Sequence, residues 1–341
     1  MSAPSLVKAR PAVVLVVDDV AANRELLEAL LQELGYDVRQ ARDGIEAIEA
    51  LEHEEPDLVL LDVDMPRLDG LSVCRRIKGH PTRRLIPVVL LTAHQDRDTR
   101  LLGLTAGADD FLTKPFDAAE LRIRVRVLLR DRELNKQLDA AEGIVMAFAR
   151  VVEARDRYTV HHAERVGLYA RELGRAQGMG ADDLDVLYKG GVMHDLGKAV
   201  IPAEILLKPG PLNEIERAFM ERHPLEAVRI IEPLRSMTRF VPIIRHHHEH
   251  LDGRGYPDHL VGDEIPVAAR IVGIADAWDA MTSDRPYRPA LDRNEALRRL
   301  RSGAGKQWDE ELVVTFDELL YARLAERVAN EQLHVTEAMV A

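Results

Sequence analysis

Short blocks of β-branched and aliphatic residues alternate with amphipathic stretches over the first third of the chain. Val13 to Val17, Asp37 to Ala41, Leu58 to Leu61, Val88 to Leu91 and Asp110 to Leu112 read as strands. Between them Asn23 to Leu34, Gly44 to Glu52, Leu71 to Lys78 and Asp96 to Thr105 carry apolar residues at helical spacing, the first closed by Gly35. This repeated alternation predicts an α/β doubly wound fold, a five-stranded parallel sheet with helices on both faces. From Asp117 to about Arg155 the pattern becomes one long helical stretch without proline, with Leu121, Val125, Leu128, Leu134, Leu138, Val145 and Phe148 set among alternating charges. Such a helix can carry strain or homodimer geometry from one domain to the next, or it can simply pack on its own domain. Beyond it the pattern stays helical, with turns at Gly178-Met179-Gly180, Lys208 to Pro211 and Gly253 to Pro257. The predicted division is an α/β domain over residues 8–131, a helical linker over 132–147 and an all-α domain over 148–341.

Composition narrows the class. The 341 residues suffice for two domains, and 46% apolar with 30% charged residues is ordinary for a globular protein. No apolar run is long enough to cross a bilayer, and the first one, Val13 to Val17, ends in Asp18-Asp19, so neither membrane insertion nor export is expected. The single cysteine, Cys74, excludes an internal disulfide and a cysteine-based metal cluster, which fits a cytoplasmic protein. A net charge of −12 argues against DNA as a partner.

In an open parallel sheet the ligand sits beyond the carboxyl ends of the strands. Asp18 and Asp19 follow strand one, Asp62 ends strand three, Thr92 ends strand four, and Lys114 follows strand five before Pro115. Three carboxylates converging there would repel one another unless a hard cation such as Mg²⁺ lay between them. A carboxylate so placed can accept a phosphoryl group as an acyl phosphate, with a lysine and a threonine hydroxyl holding the transferred oxygens. These residues, with D-V-D-M-P at 62–66, D-G at 69–70 and K-P at 114–115, resemble a response-regulator receiver domain. The resemblance implies phosphorylation of Asp62 by a cognate histidine kinase. It also implies a metal contact from the Asp64 carbonyl, and a switch pair at Thr92 and Phe111.

The second domain holds most of the 13 histidines, and the central stretch is V-M-H-D-L-G-K at 192–198. A lone His-Asp dipeptide is usually a helix end beside a solvated carboxylate. Here His194-Asp195 is accompanied by His162, by His223 before Pro224, by His246-His247-His248-Glu249 and by Asp276. Helices that each supply an imidazole or carboxylate to one interior site are a common way for bundles to build metal centres. Asp195, beside His194, is the natural bridge between two ions. His161, His246 and His250 are turned about 100° from their neighbours and read as solvated or supporting. Glu249 reads as a carboxylate that orients a ligand histidine.

H-D-L-G-K at 194–198, H-P at 223–224, H-H-E-H-L-D-G-R-G-Y-P at 247–257, A-D-A-W-D at 275–279 and S-D-R-P-Y-R at 283–288 resemble the HD-GYP subgroup of the HD phosphohydrolases. The resemblance implies hydrolysis of cyclic di-GMP to pGpG and in some members to GMP. It places His162, His194, Asp195 and Asp276 on one metal and His223, His247 and His248 on a second, with Asp195 bridging. Tyr158 stands where some members carry a glutamate for a third metal, so two are expected. Iron or manganese suits mixed imidazole and carboxylate ligands, with nickel or zinc as alternatives. By the same resemblance, Asp195 and Lys198 are catalytic, Lys198, Arg285 and Arg288 bind substrate, and the Gly255-Tyr256-Pro257 loop meets GGDEF proteins. Two rivals stand beside this reading: a catalytically silent module that binds cyclic di-GMP or a GGDEF partner, and a hydrolase of another cyclic dinucleotide.

Overall fold

The structure is a computed structural model and describes residues 10–80, 82–93, 97–155, 161–284 and 289–322. Its contacts divide the chain into two compact units, residues 1–139 and 140–341.

In the first unit β1 (Val13–Val17), β2 (Asp37–Ala41), β3 (Leu58–Asp62), β4 (Val88–Thr92) and β5 (Asp110–Thr113) form one parallel sheet in the order β2-β1-β3-β4-β5. β1, β3 and β4 are buried along their whole length, which is why they read as unbroken aliphatic runs. β2 sits at the edge and carries exposed and half-buried polar residues. α1 (Ala21–Glu33), α2 (Gly44–His53), α3 (Gly70–Gly79), α4 (Arg97–Thr105) and α5 (Ala118–Arg155) alternate with the strands. Two apolar clusters flank the sheet. One joins Leu15, Val59, Leu61 and Leu90 to Ala47, Val73, Cys74 and Ile77. The other joins Val14, Val16, Leu60 and Leu91 to Leu27, Leu31, Leu121 and Val125. Cys74 is wholly buried and its thiol is pushed up to about 11 by burial, so it serves as a small apolar residue. The chain reverses direction between β1 and β3, which places the crevice at the carboxyl ends of those two strands.

The second unit is helical. α5 enters it without interruption at Gly143, and α6 (His162–Ala176), α7 (Ala181–Met193), α8 (Ala203–Leu206), α9 (Glu214–Met220), α10 (His223–Ile231), α11 (Val241–His246), α12 (Val267–Thr282) and α13 (Arg293–Gly303) follow. A further helix covers 310–322. α12 is the central element: Ala269, Ile271, Val272, Ile274, Ala275, Trp278 and Met281 are all buried, so apolar residues occur nearly all round it. One core cluster joins it to Val166, Leu173, Leu187, Ile243 and Phe316. A second cluster joins Ala149 and Val152 of α5 to Met193, Leu196, Ala227, Met237, Phe240 and Ile244. α6 and α7 approach closely because a Cβ on Gly167 would lie 2.7 Å from the Tyr188 carbonyl and one on Gly191 would lie 2.8 Å from the Gly167 Cα. Among the described residues no helix is long and apolar enough to cross a membrane.

Candidate functional site

The receiver-type crevice is assembled as the strand ends require. The ligand atoms of Asp18, Asp19 and Asp62 lie within 4.8 Å of one another, with Asp18 and Asp62 buried and Asp19 exposed. Lys114 Nζ reaches both buried carboxylates, 2.7 Å from Asp18 Oδ2 and 2.7 Å from Asp62 Oδ2. Burial raises the Asp62 carboxyl above the usual carboxylate range, although Lys114 opposes it. Burial also works against the Lys114 ammonium, but the two carboxylates outweigh it and hold the lysine above its ordinary value. Asp64 is exposed just past β3, and Thr92 is the buried last residue of β4. Phe111 is buried against α4, where a Cβ on Gly103 would lie 2.4 Å from its ring. The D-G pair also has a local reason. Asp69 caps α3 by accepting from Ser72 N at 2.8 Å, and Gly70 lies so near Asp62 that a Cβ there would be 2.0 Å from its carbonyl oxygen.

In the helical unit seven side chains converge in two adjoining groups, Asp195 with His223, His247 and His248, and His162 with His194 and Asp276. Within each group the ligand atoms lie within 4.8 Å of one another. Asp195 faces both: its Oδ2 is 3.3 Å from His194 Nε2 and its Oδ1 is 3.3 Å from His223 Nε2. The adjacent pair can split in this way because α7 ends at Met193 and a 3-10 turn over Leu196–Val200 begins at once. His247 and His248 sit similarly just past the end of α11, with ring centroids 4.1 Å apart.

Helix geometry orients the imidazoles. His194 Nδ1 donates to Gly191 O at 2.6 Å, His223 Nδ1 to Met220 O at 2.8 Å and His247 Nδ1 to Ile244 O at 2.9 Å. In each case the acceptor is three residues earlier. A carbonyl oxygen only accepts, so the proton is on Nδ1 and the Nε2 lone pair faces the site. His162 is held differently, by Asp279 Oδ2 at 2.7 Å, and Asp279 is in turn gripped by Arg165 at 2.5 and 2.8 Å. Asp279 is 2% exposed and stands one helical turn after Asp276 on α12. The motif A-D-A-W-D contains it, and its i, i+3 spacing from Asp276 is the signal that it shares a face with the site. Sequence reasoning assigned it no role.

Charge divides the two groups. Burial pushes His223 down to about 3 and His248 to about 4, and holds His247 well below its ordinary value, so all three are neutral ligand donors at neutral pH. Burial also opposes the charge on His162, but Asp276 and Asp279 outweigh it and lift His162 to about 9. His194 is raised by Asp195 and Asp276 in the same way. That half of the site draws in positive charge. His194 Nε2 is buried and makes no hydrogen bond of good geometry among the described residues, which an inward-facing ligand nitrogen would explain. The donor set therefore suits a pair of divalent cations of the type held by imidazole and carboxylate.

Other expected residues surround this centre. Lys198 Nζ lies 2.5 Å from Asp195 Oδ2. The Tyr256 ring faces the site, its centroid 4.8 Å from that of His248 and 6.4 Å from that of His223. Gly255 lets its loop lie directly on the 248–250 backbone, since a Cβ would be 2.3 Å from His250 N. Pro257 follows, half-buried. Glu249 does not orient a ligand histidine. Its carboxylate accepts from Asp258 N at 2.7 Å and Leu260 N at 3.1 Å and so fixes the loop behind Tyr256, while the helix carbonyls do the orienting. His246 pairs with Asp258 at 2.9 Å, and His161 precedes α6 in an exposed position. Arg285, Arg288 and Tyr158 lie outside the described residues.

Comparison with known proteins agrees with both halves. Residues 14–126 match the response regulator receiver domain and residues 147–312 match the HD domain. The chain is 34% identical over 335 residues to the cyclic di-GMP phosphodiesterase response regulator RpfG of Xanthomonas campestris pv. campestris (strain 8004), covering 91% of this chain and 87% of that one. It is 33% identical over 331 residues to a cyclic di-GMP phosphodiesterase of Thermotoga maritima, covering 89% of each. It is 35% identical over 193 residues to a 3'3'-cGAMP-specific phosphodiesterase of Vibrio cholerae serotype O1, covering 55% of this chain and 35% of that one. The chain thus belongs to the response regulators that carry an HD domain behind a receiver domain, the family of RpfG.

Proposed function

We propose that the chain is a metal-dependent phosphodiesterase that hydrolyses cyclic di-GMP to pGpG, with GMP as an alternative end product, under the control of phosphorylation at Asp62. The observation that carries this reading is the convergence of seven side chains into two adjoining groups, with Asp195 facing both, in a chain akin to cyclic di-GMP phosphodiesterases over most of its length. His162, His194, Asp195 and Asp276 would hold one ion, and Asp195, His223, His247 and His248 the other, with iron or manganese favoured by the ligand chemistry. Such a pair supplies a nucleophilic water and neutralises the phosphodiester oxygens.

The protein's own groups do the rest. The helix carbonyls and Asp279 fix the imidazoles before substrate arrives, so little reorganisation accompanies reaction. Lys198 keeps a positive charge beside Asp195, where it meets an anionic phosphate entering the site. Buried Val192, Met193 and Leu196 flank His194 and Asp195 in sequence and keep the local dielectric low. Arg285 and Arg288 would grip the substrate's phosphates or stack on its guanines. In the first unit Asp18, Asp19, Asp62 and the Asp64 carbonyl would hold Mg²⁺, Asp62 accepts the phosphoryl group from a cognate histidine kinase, and Thr92 and Phe111 respond. The Gly255-Tyr256-Pro257 loop is the docking point for GGDEF proteins. A cytoplasmic homodimer forms through α5, whose exposed Val127, Leu134 and Phe148 stand seven and fourteen residues apart, on one heptad position.

A second reading, a different cyclic dinucleotide as substrate, is favoured by the similarity to the 3'3'-cGAMP-specific enzyme. One assay separates the possibilities. Protein reconstituted anaerobically with Fe²⁺ or Mn²⁺ is given cyclic di-GMP or 3'3'-cGAMP, with and without an acyl-phosphate mimic, beside His194→Ala and Asp195→Ala. Faster turnover of cyclic di-GMP, lost in both variants, supports the proposal. Preference for 3'3'-cGAMP supports the second reading. Binding without product at full metal occupancy leaves a silent binding module.

A further inference from the structure

The last turns of α5 belong to the second unit and hold the two segments that carry the ligand residues. Val152 and Ala149 pack in one cluster with Met193 and Leu196, on either side of His194 and Asp195. Arg155 Nη1 donates to Ala199 O at 2.7 Å, one residue beyond Lys198. Glu153 Oε1 accepts from Ala163 N at 2.8 Å, the residue after His162. Further back, buried Glu142 takes Lys189 Nζ and Arg239 Nη2 at 2.8 Å each, which pins the helix to α7 and to the turn before α11.

The Glu153 contact stands out because α6 cannot cap itself. The first N–H groups of a helix have no partner within it and are usually met by the side chain of the residue before. Here that residue is His161, in the left-handed region at φ 63°, and its side chain makes no capping bond. A carboxylate from another helix takes the role, and its negative charge suits a helix N-terminus. His162 is the first residue of α6, so its backbone adjoins the peptide that Glu153 holds.

We propose that Glu153 is a positioning residue for His162, and that through it α5 sets the geometry of one metal position and not the other. This rests on the two-metal reading above. The leverage follows from helix dimensions. A carboxylate about 6 Å from a helix axis moves about 2 Å when the helix turns by about 20°. That displacement breaks a 2.8 Å hydrogen bond. His223 and His247 are oriented by the carbonyls of Met220 and Ile244, not through this contact, and would not follow. Loss of the Glu153 contact alone would thus loosen His162 while leaving His223, His247 and His248 in place.

The test counts ions. Full-length protein and the variants Glu153→Ala, Glu153→Asp and Glu153→Gln are titrated with Mn²⁺ and followed by electron paramagnetic resonance, with thermal unfolding measured in parallel. Glu153→Ala and Glu153→Asp, which is one methylene too short, should lose about tenfold or more in affinity for one ion and keep the other. Glu153→Gln, whose amide oxygen still accepts from Ala163 N, should stay within about threefold of the parent on both. Unchanged affinity for both ions in the alanine and aspartate variants would overturn the proposal, as would equal weakening of both. If the alanine variant fails to fold, the aspartate variant decides. A parent protein that binds no pair of ions would count against the two-metal reading itself.

Discussion

Gly197 offers a sharp test of how closely the ligand segments are packed. A Cβ at this position would lie 1.9 Å from His223 O, 2.6 Å from Ala227 N and 2.8 Å from His223 C, all backbone atoms of α10 that no rotamer change can move aside. In Gly197→Ala the 3-10 turn and α10 must therefore separate by about 1.5 Å to reach ordinary contact. The turn carries Asp195 and Lys198, and α10 begins at His223. The 3.3 Å approach of Asp195 Oδ1 to His223 Nε2 is the distance that opens. Metal ligation tolerates deviations of only about 0.2 Å, so the shared carboxylate would no longer serve both positions. Overpacking of this kind costs about 1–3 kcal/mol, or roughly 2–10 °C in the unfolding of a unit of this size. Gly143→Ala is the counterpart of opposite sign. It lies within α5 with nothing inside 4 Å of its Cβ, so it should stabilise by about 0.5–1 kcal/mol. The assay combines metal content per chain, cyclic di-GMP turnover and thermal unfolding. A Gly197→Ala protein with two bound ions, turnover within twofold and an unchanged melting temperature would refute the packing argument.

Three further outcomes are expected. Asp279→Asn replaces the carboxylate that anchors His162 and faces Arg165, and should weaken metal binding by about 10- to 100-fold with the fold retained, as read by chelator competition and circular dichroism. Asp62→Asn should block phosphorylation by acyl phosphates. It should also raise the melting temperature of the first unit at neutral pH without divalent cation, because a carboxyl raised on folding stabilises most while protonated, below its unfolded value of about 4, and that contribution declines as pH rises through the folded value. Melting curves at neutral and mildly acidic pH check this, since the variant's advantage must shrink on acidification. Glu249→Ala strands two loop N–H groups at a cost of about 2 kcal/mol and should raise KM while both ions stay bound; loss of the ions would show that Glu249 supports the ligands after all.

Much of this was legible in the sequence because strong patterns coincide with chemistry. The buried strands β1, β3 and β4 could not be polar, so the aspartates at the ends of β1 and β3 stood out. The adjacent pairs His194-Asp195 and His247-His248 signalled helix ends, since consecutive residues inside a helix diverge. Less visible was what holds the ligands. Backbone carbonyls leave no mark on composition, and three of them orient His194, His223 and His247. Asp279 lay inside a recognised motif, yet its target is 117 positions away at His162, a pairing that only tertiary structure reveals. Glu249 misled for the same reason, because its neighbours in sequence are histidines and its partners are amides of the following loop. Arg285 and Arg288 stay with the sequence reading.

The carbonyl contacts divide the site by the origin of its order. Three imidazoles receive their tautomer from a carbonyl three residues earlier in the chain, so each short segment brings a finished ligand to the assembly. His162 receives its own from Asp279 and is steadied through Ala163 by Glu153, two elements far removed in sequence. Those three ligands are therefore settled locally, whereas His162 depends on how the whole unit is packed. A perturbation confined to those two contacts would act on a single imidazole, and a regulated enzyme could adjust its rate there without dismantling the carbonyl-held ligands.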